Sequence, residues 1–229
     1  MTQFDVNHDD FLYIDTQFKK LNTPSIAGLK LSPHKVYYFD EYIPVEQGGT
    51  PEEKQIRSEI LTFKNYKTWI KPDYQKAYIE QFSHKILKGV DLIASTFDDT
   101  ITGIALIPVP CSKIGKKGGI HDCLNYIRNH SSLFDNDVRC KFYCYNLLKR
   151  YQDIKAIHQT KCSRDVALSV HLETIELTRE TFYRPNMKII LIDDVTTSGS
   201  IMNACTELLL SHQVNIKQIY RLALASTVN

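Results

Sequence analysis

The sequence predicts an α/β fold that is built on a mainly parallel β-sheet. Two short apolar runs, Thr102–Val109 and Met187–Ile192, lack polar alternation, which favours strands that are buried on both faces. Strand patterns alternate with helical patterns through the C-terminal half, as in sheets whose parallel strands are joined by helices. We therefore expect an α/β core at residues 90–229, preceded by an N-terminal extension at residues 1–89.

Length and composition fit a folded globular chain of nearly balanced charge. The 229 residues include 28 Lys and Arg against 26 Asp and Glu, so the formal net charge is +2. This balance excludes a strongly basic nucleic-acid coat and a strongly acidic tail. No apolar run approaches the roughly 18–20 residues that a membrane span needs, and the polar N-terminal segment has no signal-peptide pattern. We therefore expect a cytoplasmic protein without a membrane partner.

The six cysteines are expected to be reduced thiols, because no secretory pattern precedes them and the chain is long enough to bury its own core. Cys140 and Cys144 are four residues apart on a predicted helix, and His158 follows downstream. A metal site at these residues is one interpretation. The alternative, which we favour, is that the two cysteines are small buried side chains on a packed helix.

One strand and two helices are predicted in the N-terminal part. Lys35–Tyr42 is rich in β-forming residues and predicts a strand. A Thr-Pro-Glu-Glu sequence that begins at Thr50 is typical of a helix start, and this helix should run to about Lys64. Apolar residues at four-residue spacing predict a second helix over Pro72–Lys88, which Gly89 should close.

The C-terminal half supplies the alternation of strands and helices. A loop rich in glycine and lysine, at residues 110–119, follows the first apolar strand. The other predicted elements, in chain order, are helices over His121–Asn129 and Val138–Tyr151, a strand over Leu172–Leu177, a helix from Gly199 to about Ser211, and a last strand over Asn215–Ser226.

The most informative segment is Lys188–Ser200, which reads KIILIDDVTTSGS. Its apolar strand delivers two adjacent carboxylates, Asp193 and Asp194, to the carboxyl end of the sheet, where open α/β folds bind ligands. A turn of hydroxyl-bearing residues then leads through Gly199 into a helix, whose free N–H groups and dipole favour a phosphate. A ribose 5-phosphate satisfies both features, with its phosphate at the helix start and its vicinal hydroxyls on the carboxylates.

This segment resembles the 5-phosphoribosyl 1-pyrophosphate (PRPP) motif of type I phosphoribosyltransferases in its length, order and strand–loop–helix context. The resemblance implies a parallel-sheet, Rossmann-like phosphoribosyltransferase core, with residues 1–89 as a variable hood. It gives Asp193 and Asp194 the catalytic role. The sequence departs from the family at Ile201, where a hydroxyl-bearing residue is usual. The residues that the resemblance places at the 5′-phosphate are Val195, Thr196, Thr197, Ser198, Gly199 and Ser200.

The same segment has two other interpretations. In the first, the aspartates merely end a strand and the hydroxyl residues merely cap a helix. In the second, the pair belongs to a phospho-acceptor receiver domain, which also has a strand that ends in two aspartates. That pair opens the receiver domain, whereas only 35 of the 229 residues follow Asp194, too few to build that fold.

A second loop, after the strand Thr102–Val109, is predicted to bind pyrophosphate. Its lysines supply positive charge, and its glycines allow backbone amides to turn toward an anion. A solvent-exposed lysine- and glycine-rich turn without a ligand is the alternative. The residues predicted to bind pyrophosphate are Cys111, Ser112, Lys113 and Gly115.

Within the superfamily, the sequence is most similar to the ComF-type proteins, although it shows no cysteine-rich zinc ribbon of the kind that these proteins often carry. The similar features are Phe63-Lys64, Ile107–Pro110, Gln159 with Arg164, and the two adjacent aspartates. The superfamily also has a mobile loop that closes over PRPP, and Gln152–Asp165 is our candidate for it. The functional residues that we expect in this loop are His158, Lys161 and Arg164.

The resemblance implies a Mg²⁺-dependent protein that binds PRPP and a base or nucleotide, and that transfers the ribose 5-phosphate or releases pyrophosphate. No residue is assigned to the metal, since PRPP would hold Mg²⁺, and we expect a homodimer. The alternative is a non-catalytic PRPP- or nucleotide-binding regulatory module, in DNA uptake or phage defence. A third interpretation, nucleic-acid binding, is suggested by the basic and aromatic residues that alternate over Phe63–Lys71.

Overall fold

The computed structural model describes residues 26–97, 101–130, 141–154, 164–178, 186–212 and 214–227, and has eight strands and six α-helices within them. The strands are β1 (Lys30–Leu31), β2 (Tyr37–Tyr42), β3 (Gly103–Pro108), β4 (Phe142–Cys144), β5 (Leu148–Arg150), β6 (Ile175–Leu177), β7 (Met187–Thr196) and β8 (Ile219–Thr227). The helices are α1 (Pro51–Lys64), α2 (Tyr66–Trp69), α3 (Pro72–Ala94), α4 (Gly119–Asn129), α5 (Arg164–Leu172) and α6 (Ser200–Ser211).

Six of the strands form one sheet in the order β1-β2-β8-β7-β3-β4. Each neighbouring pair is parallel except β1 with β2, which form a hairpin. The strands β5 and β6 form a separate antiparallel pair. The predicted α/β class with a mostly parallel sheet is therefore confirmed, and the sheet is compatible with a Rossmann-like core.

Helices cover both faces of the sheet, which explains why its central strands have no polar alternation. On one face, residues such as Leu106 and Ile190 pack with α3 and α4. On the other face, their neighbours Ile107 and Leu191 pack with α6. Burial of a side chain of this size contributes roughly 1.5–3 kcal/mol, so packing on two faces stabilises β3 and β7 strongly.

The chain leaves β3 and β7 in opposite directions. From β3 it passes through α4 to β4 at one edge, and from β7 it passes through α6 to β8 on the other side. The two strands are adjacent and parallel, with Pro108 beside Ile192 near their carboxyl ends. Such a divergence is the topological switch point of an open α/β sheet, where a crevice is left for a ligand. The two loops predicted to bind PRPP therefore begin side by side.

The predicted helix start at Thr50 is confirmed by a reciprocal capping interaction. The Glu53 N–H donates to the Thr50 hydroxyl oxygen at 3.3 Å, and the Thr50 N–H donates to the Glu53 carboxylate at 2.6 Å. The helix ends at Lys64, as its sequence predicts. Its inner face buries Ile60 and Phe63 completely, which fixes the C-terminal end of α1 against the core.

The helix predicted over Val138–Tyr151 is wrong in its described part, residues 141–151. The chain there forms β4, which pairs in parallel with β3, and β5. The pairing satisfies N–H and C=O groups on the outer edge of β3, which a helix would leave unpaired. Cys144 therefore lies on a strand, while Cys140 and His158 lie outside the described residues. Within the described residues, no group of three or more potential metal ligands occurs.

Gly89 does not end the helix α3, as the sequence suggested, but lies inside it, since α3 continues to Ala94. A Cβ atom at Gly89 would lie 2.8 Å from the Phe39 ring and 2.9 Å from the Leu222 side chain. The glycine allows α3 to approach β2 and β8 closely, and this packing outweighs a helix-propensity cost of about 1 kcal/mol.

The N-terminal and C-terminal segments share one sheet. The proposed boundary between residues 89 and 90 falls inside α3, and β2 pairs with β8 from Tyr37 to Tyr42. The role of residues 1–89 as a hood over a ligand stays a prediction. In the part of the chain that the structure describes, no helix is long and apolar enough to cross a bilayer.

Several element ends differ from the predicted ones in the C-terminal part. The strand β7 continues past Ile192 to Thr196, because pairing with β8 extends to its last residue. Leu172 ends α5, so only Ile175–Leu177 of the predicted strand is a strand. A short 3₁₀ turn precedes β8, which therefore begins at Ile219.

Replacing Gly119 by alanine is expected to lower the free energy of unfolding by about 1–3 kcal/mol, since overpacking forces neighbouring groups to move. A Cβ atom there would lie 2.6 Å from the ring of Phe63, which is fully buried and stacks on Phe82 at 4.2 Å between centroids. Chemical denaturation measures the change. In a Phe63→Leu background the same substitution should cost less, and an equal cost in both backgrounds would contradict this explanation.

Candidate active site

The two adjacent aspartates lie within the carboxyl end of β7, not after it. Asp193 is opposite Ala223 of β8 in the parallel register, and Val195 is opposite Ala225. Successive side chains of a strand point to opposite faces. Asp193 therefore lies on the side of α6, where it acts electrostatically on the buried thiol of Cys205, and Asp194 lies on the side of α1. Both carboxylates are partly exposed at the switch point.

A lysine that the sequence does not predict as a site residue lies beside the two carboxylates. The Nζ atom of Lys64, the last residue of α1, lies 3.2 Å from Oδ1 of Asp194. Both side chains are partly exposed, at 39% and 28%, so the ion pair itself stabilises the fold by about 1 kcal/mol at most. Its larger effect is on the charge of the site. The sequence shows Phe63-Lys64 only as part of a resemblance, because nothing local indicates that α1 ends beside β7.

The carboxyl group of Asp193 has a raised pKa, because burial and the adjacent charge of Asp194 disfavour its ionised form, while Lys64 opposes both effects. The pKa of Lys64 is also raised: burial lowers it, but the attraction of Asp194 and Asp193 outweighs burial. The ligand-free pair therefore retains a proton more readily than two separate carboxyls do. Hydroxyl groups of a sugar that donate to the carboxylates would favour release of that proton.

The turn after β7 has the geometry of a phosphate cradle. Gly199 has a φ of +70° and precedes the first residue of α6, Ser200, whose hydroxyl lies 2.7 Å from that of Ser198. Among the described residues, the N–H groups of Ser198, Gly199 and Ile201 have no protein acceptor. Thr196 is 2% exposed, and its hydroxyl oxygen has no hydrogen-bond partner within the described part of the chain. Several donors therefore converge on one short turn, as an anion requires.

Gly199 is needed at this turn for space as well as for conformation. A Cβ atom there would lie 2.9 Å from the Cβ of His34, which belongs to the turn between β1 and β2. The buried guanidinium of Arg221 donates to the His34 carbonyl at 3.2 Å and to the Asn203 side chain at 2.6 Å. The N-terminal hairpin is thus held against the cradle, although the sequence gives no local signal for this contact.

Ile201, at which the sequence departs from the motif that it resembles, packs against the core on the α6 face of the sheet. Its side chain therefore stabilises the attachment of α6 and offers no hydroxyl to a ligand. Thr197 is exposed, whereas Val195 packs against the core on the opposite face. The cradle thus relies mainly on backbone N–H groups and on the hydroxyls of Ser198 and Ser200.

The predicted pyrophosphate loop lies beside the aspartates. The Val109 N–H donates to the Ile192 carbonyl at 2.9 Å, so the loop leaves the sheet next to Asp193. Burial raises the pKa of the Cys111 thiol, and the charges of Asp194 and Asp193 raise it further, which shows that all three are within electrostatic reach. The middle of the loop, Ser112–Lys117, is exposed. The structure therefore brings the two predicted loops together.

Only part of the predicted mobile loop lies within the described residues. His158 and Lys161 lie outside the described residues, and Arg164 is the first residue of α5. Their proposed contact with PRPP stays a prediction.

Most of the basic and aromatic segment Phe63–Lys71 is engaged within the fold. Phe63 and Tyr66 are buried, Lys64 contacts Asp194, and Lys67 forms an ion pair with Asp122 at 2.8 Å. The Tyr66 hydroxyl donates to the same carboxylate of Asp122 at 2.7 Å. The segment also presents residues to solvent, including Lys67, Thr68, Trp69 at 59% exposure, and Lys71. These contacts explain the residue pattern through packing and ion pairs.

The raised pKa of Asp193 predicts how the stability of the ligand-free protein depends on pH. The folded pKa exceeds the unfolded value of 3.8, so the folded state binds more protons and stability falls as pH rises from about 4 through the folded pKa. Asp193→Asn removes this loss. The difference in Tm between variant and wild type should favour the variant more at about pH 8 than at about pH 5, as measured by calorimetry. A difference that is independent of pH would contradict the raised pKa.

Comparison with models of known protein families finds no match, and comparison with curated proteins finds none either. A function for this protein must therefore be inferred from the residues and the geometry of this chain.

Proposed function

We propose that the protein is phosphoribosyltransferase-like: it binds PRPP with Mg²⁺ and transfers the ribose 5-phosphate to a nitrogenous base, with release of pyrophosphate. One observation carries the proposal. Two loops with the chemistry of anion sites meet at the switch point of the sheet, and Asp193 and Asp194 lie between them. A ligand with an anion at each end and hydroxyls in the middle matches this order of groups.

The carboxylates would accept hydrogen bonds from the 2′- and 3′-hydroxyls of the ribose. Hydrogen bonds to charged acceptors contribute about 1.5–3 kcal/mol each, and two of them also fix the orientation of the ring. As pyrophosphate departs, positive charge develops at the anomeric carbon, and the charge of Asp193 and Asp194 would stabilise it. Positioning and electrostatic stabilisation supply the catalysis, since no nucleophile of the protein is required.

The two anion sites would hold the two ends of PRPP. The 5′-phosphate would accept from the N–H groups of Ser198, Gly199 and Ile201 and from nearby hydroxyls. The pyrophosphate would lie at the loop Cys111–Gly115, where exposed lysines offset its charge as it leaves. Mg²⁺ would enter with the substrate, as the Mg²⁺ complex of PRPP.

Lys64 would favour the ionised form of the two carboxylates, which binds the ribose hydroxyls. In the free protein its Nζ atom contacts Asp194, so a binding ribose must share or displace this contact. The lysine also lowers the pKa of Asp193 and thereby keeps the pair closer to the ionised form that accepts two hydroxyls. Lys64 comes from α1, so the N-terminal segment takes part in the proposed site.

Replacing both aspartates, Asp193→Asn with Asp194→Asn, is expected to lower the affinity for PRPP by at least about 100-fold, since two charged acceptors are lost. Calorimetric titration with Mg²⁺ and PRPP measures the affinity, and circular dichroism checks that the fold is retained. The matched control is Asp40→Asn with Glu41→Gln, which removes two adjacent carboxylates from β2. Unchanged PRPP affinity in the first double variant would overturn the proposal.

Lys64→Met is expected to raise, by about one pH unit, the pH at which PRPP affinity is half-maximal, because loss of the cation raises the pKa of Asp193 further. The ionisation of PRPP itself affects the titrations of wild type and variant equally. The difference between their midpoints therefore reports the ionisation of the protein. Lys64→Arg should restore the wild-type midpoint, and Lys85→Met, which removes the partner of Asp40, should not move it. A midpoint that stays in place in Lys64→Met would contradict this role.

A second candidate function is a non-catalytic module that binds PRPP or a nucleotide. The packing of Ile201 into the core favours it, since one hydroxyl that is usual in the motif is replaced by a structural contact. The two functions differ in turnover. Release of pyrophosphate from PRPP and Mg²⁺ in the presence of a panel of bases supports the transferase, while PRPP binding without release across the panel supports the module.

A further inference from the structure

Arg150, at the end of β5, is a buried cation that contacts the backbone of the pyrophosphate loop. Only 2% of its surface is exposed. Its Nε donates to the Cys111 carbonyl at 2.6 Å, one terminal nitrogen donates to the Thr174 hydroxyl at 2.5 Å, and the other lies 3.3 Å from Nδ1 of His171. Burial and the charge of Arg150 lower the pKa of His171 to about 4, so the imidazole is neutral and its Nδ1 can accept.

The charge of Arg150 is not neutralised by an ion pair within the described residues. Asp153 acts on it electrostatically, but its carboxylate accepts from the Ile114 N–H at 2.6 Å. A buried cation without a counter-ion costs several kcal/mol unless other groups compensate for it. The three neutral acceptors provide part of this compensation, and an anion bound on the far side of the Cys111 peptide would provide more.

The segment after β5 holds the same loop at two further points. In addition to the Asp153 contact, the Ile154 N–H donates to the Ser112 carbonyl at 3.0 Å. The carbonyls of Cys111 and Ser112 are thus both turned toward residues 150–154. In a trans peptide the N–H points opposite to the C=O, so the N–H groups of Ser112 and Lys113 face away from this segment. Neither N–H has an acceptor among the described residues.

We propose that Arg150 is the positioning residue of the pyrophosphate loop: by holding the Cys111 carbonyl, it presents the N–H groups of Ser112 and Lys113 to a diphosphate. The proposal rests on the proposed function. It states that the half of the PRPP site that binds the diphosphate is positioned by a residue that does not touch the ligand. The peptide between Arg150 and the anion transmits the charge, because its dipole aligns with the guanidinium on one side and the diphosphate on the other. Lysine at this position would retain the charge but not the three-way contact.

The test separates the two ends of PRPP. Calorimetry measures the affinities for Mg²⁺-pyrophosphate and for ribose 5-phosphate in the wild type, Arg150→Met, Arg150→Lys and Lys149→Met. Lys149 is the exposed neighbour of Arg150 on β5 and provides the same change in charge. Arg150→Met should weaken pyrophosphate binding by about tenfold or more, since a charged hydrogen bond to the loop is lost. Ribose 5-phosphate binding should change less than about twofold, and Lys149→Met should change neither affinity by more than that.

The pyrophosphate affinity of Arg150→Lys should lie between those of the wild type and Arg150→Met. If Arg150→Met does not fold, Arg150→Lys is the decisive variant. Amide hydrogen exchange at Ile114 and Ile154 should also become faster in either variant, because these amides donate between the loop and residues 150–154. Equal losses for both ligands, or pyrophosphate affinity like that of the wild type, would overturn the positioning role while the proposed function stands. A wild type that binds neither ligand would overturn the proposed function itself.

Discussion

Parallel pairing of β3 with β7 determines where the chemistry of this protein is concentrated. The register places Pro108 beside Ile192, so the loop after β3 and the aspartates of β7 start at the same edge of the sheet. This pairing is stable because both strands bury apolar side chains on two faces, against α3 and α4 on one side and α6 on the other. The helices then leave in opposite directions, and the crevice between them follows from the chain path rather than from any one residue.

Charge at this crevice is balanced by residues from distant parts of the sequence. Two adjacent carboxylates at the end of a strand repel each other, and partial burial increases the cost of ionising both. Lys64 offsets this cost, and it is in place because Phe63, its neighbour, is fully buried beside Gly119 at the start of α4. The same aromatic contact thus orders α1, α4 and the cation of the site.

Two buried arginines hold the loops in place by donating hydrogen bonds to backbone carbonyls. Arg150 holds Cys111 in the loop after β3, and Arg221 holds His34, which packs against Gly199 in the turn after β7. Arg150 binds neutral acceptors in the interior, which is uncommon for a residue that is rarely buried without a charged partner. This arrangement keeps the two polar loops in defined positions without placing the cation itself in the crevice.

The sequence by itself determined the class of the fold, the buried strands β3 and β7, the capped start of α1 at Thr50, and the loop–helix turn at Gly199. These features depend on residues close in the chain, whose periodicity and capping chemistry are read locally. Tertiary structure alone decided that residues 142–144 pair with β3 instead of forming a helix, that Gly89 lies inside α3, and that Lys64 and Arg150 reach the site. Strand pairing, close packing of backbones and buried ionic contacts join residues that are far apart in sequence. These interactions form only when the chain folds, so local sequence patterns do not reveal them.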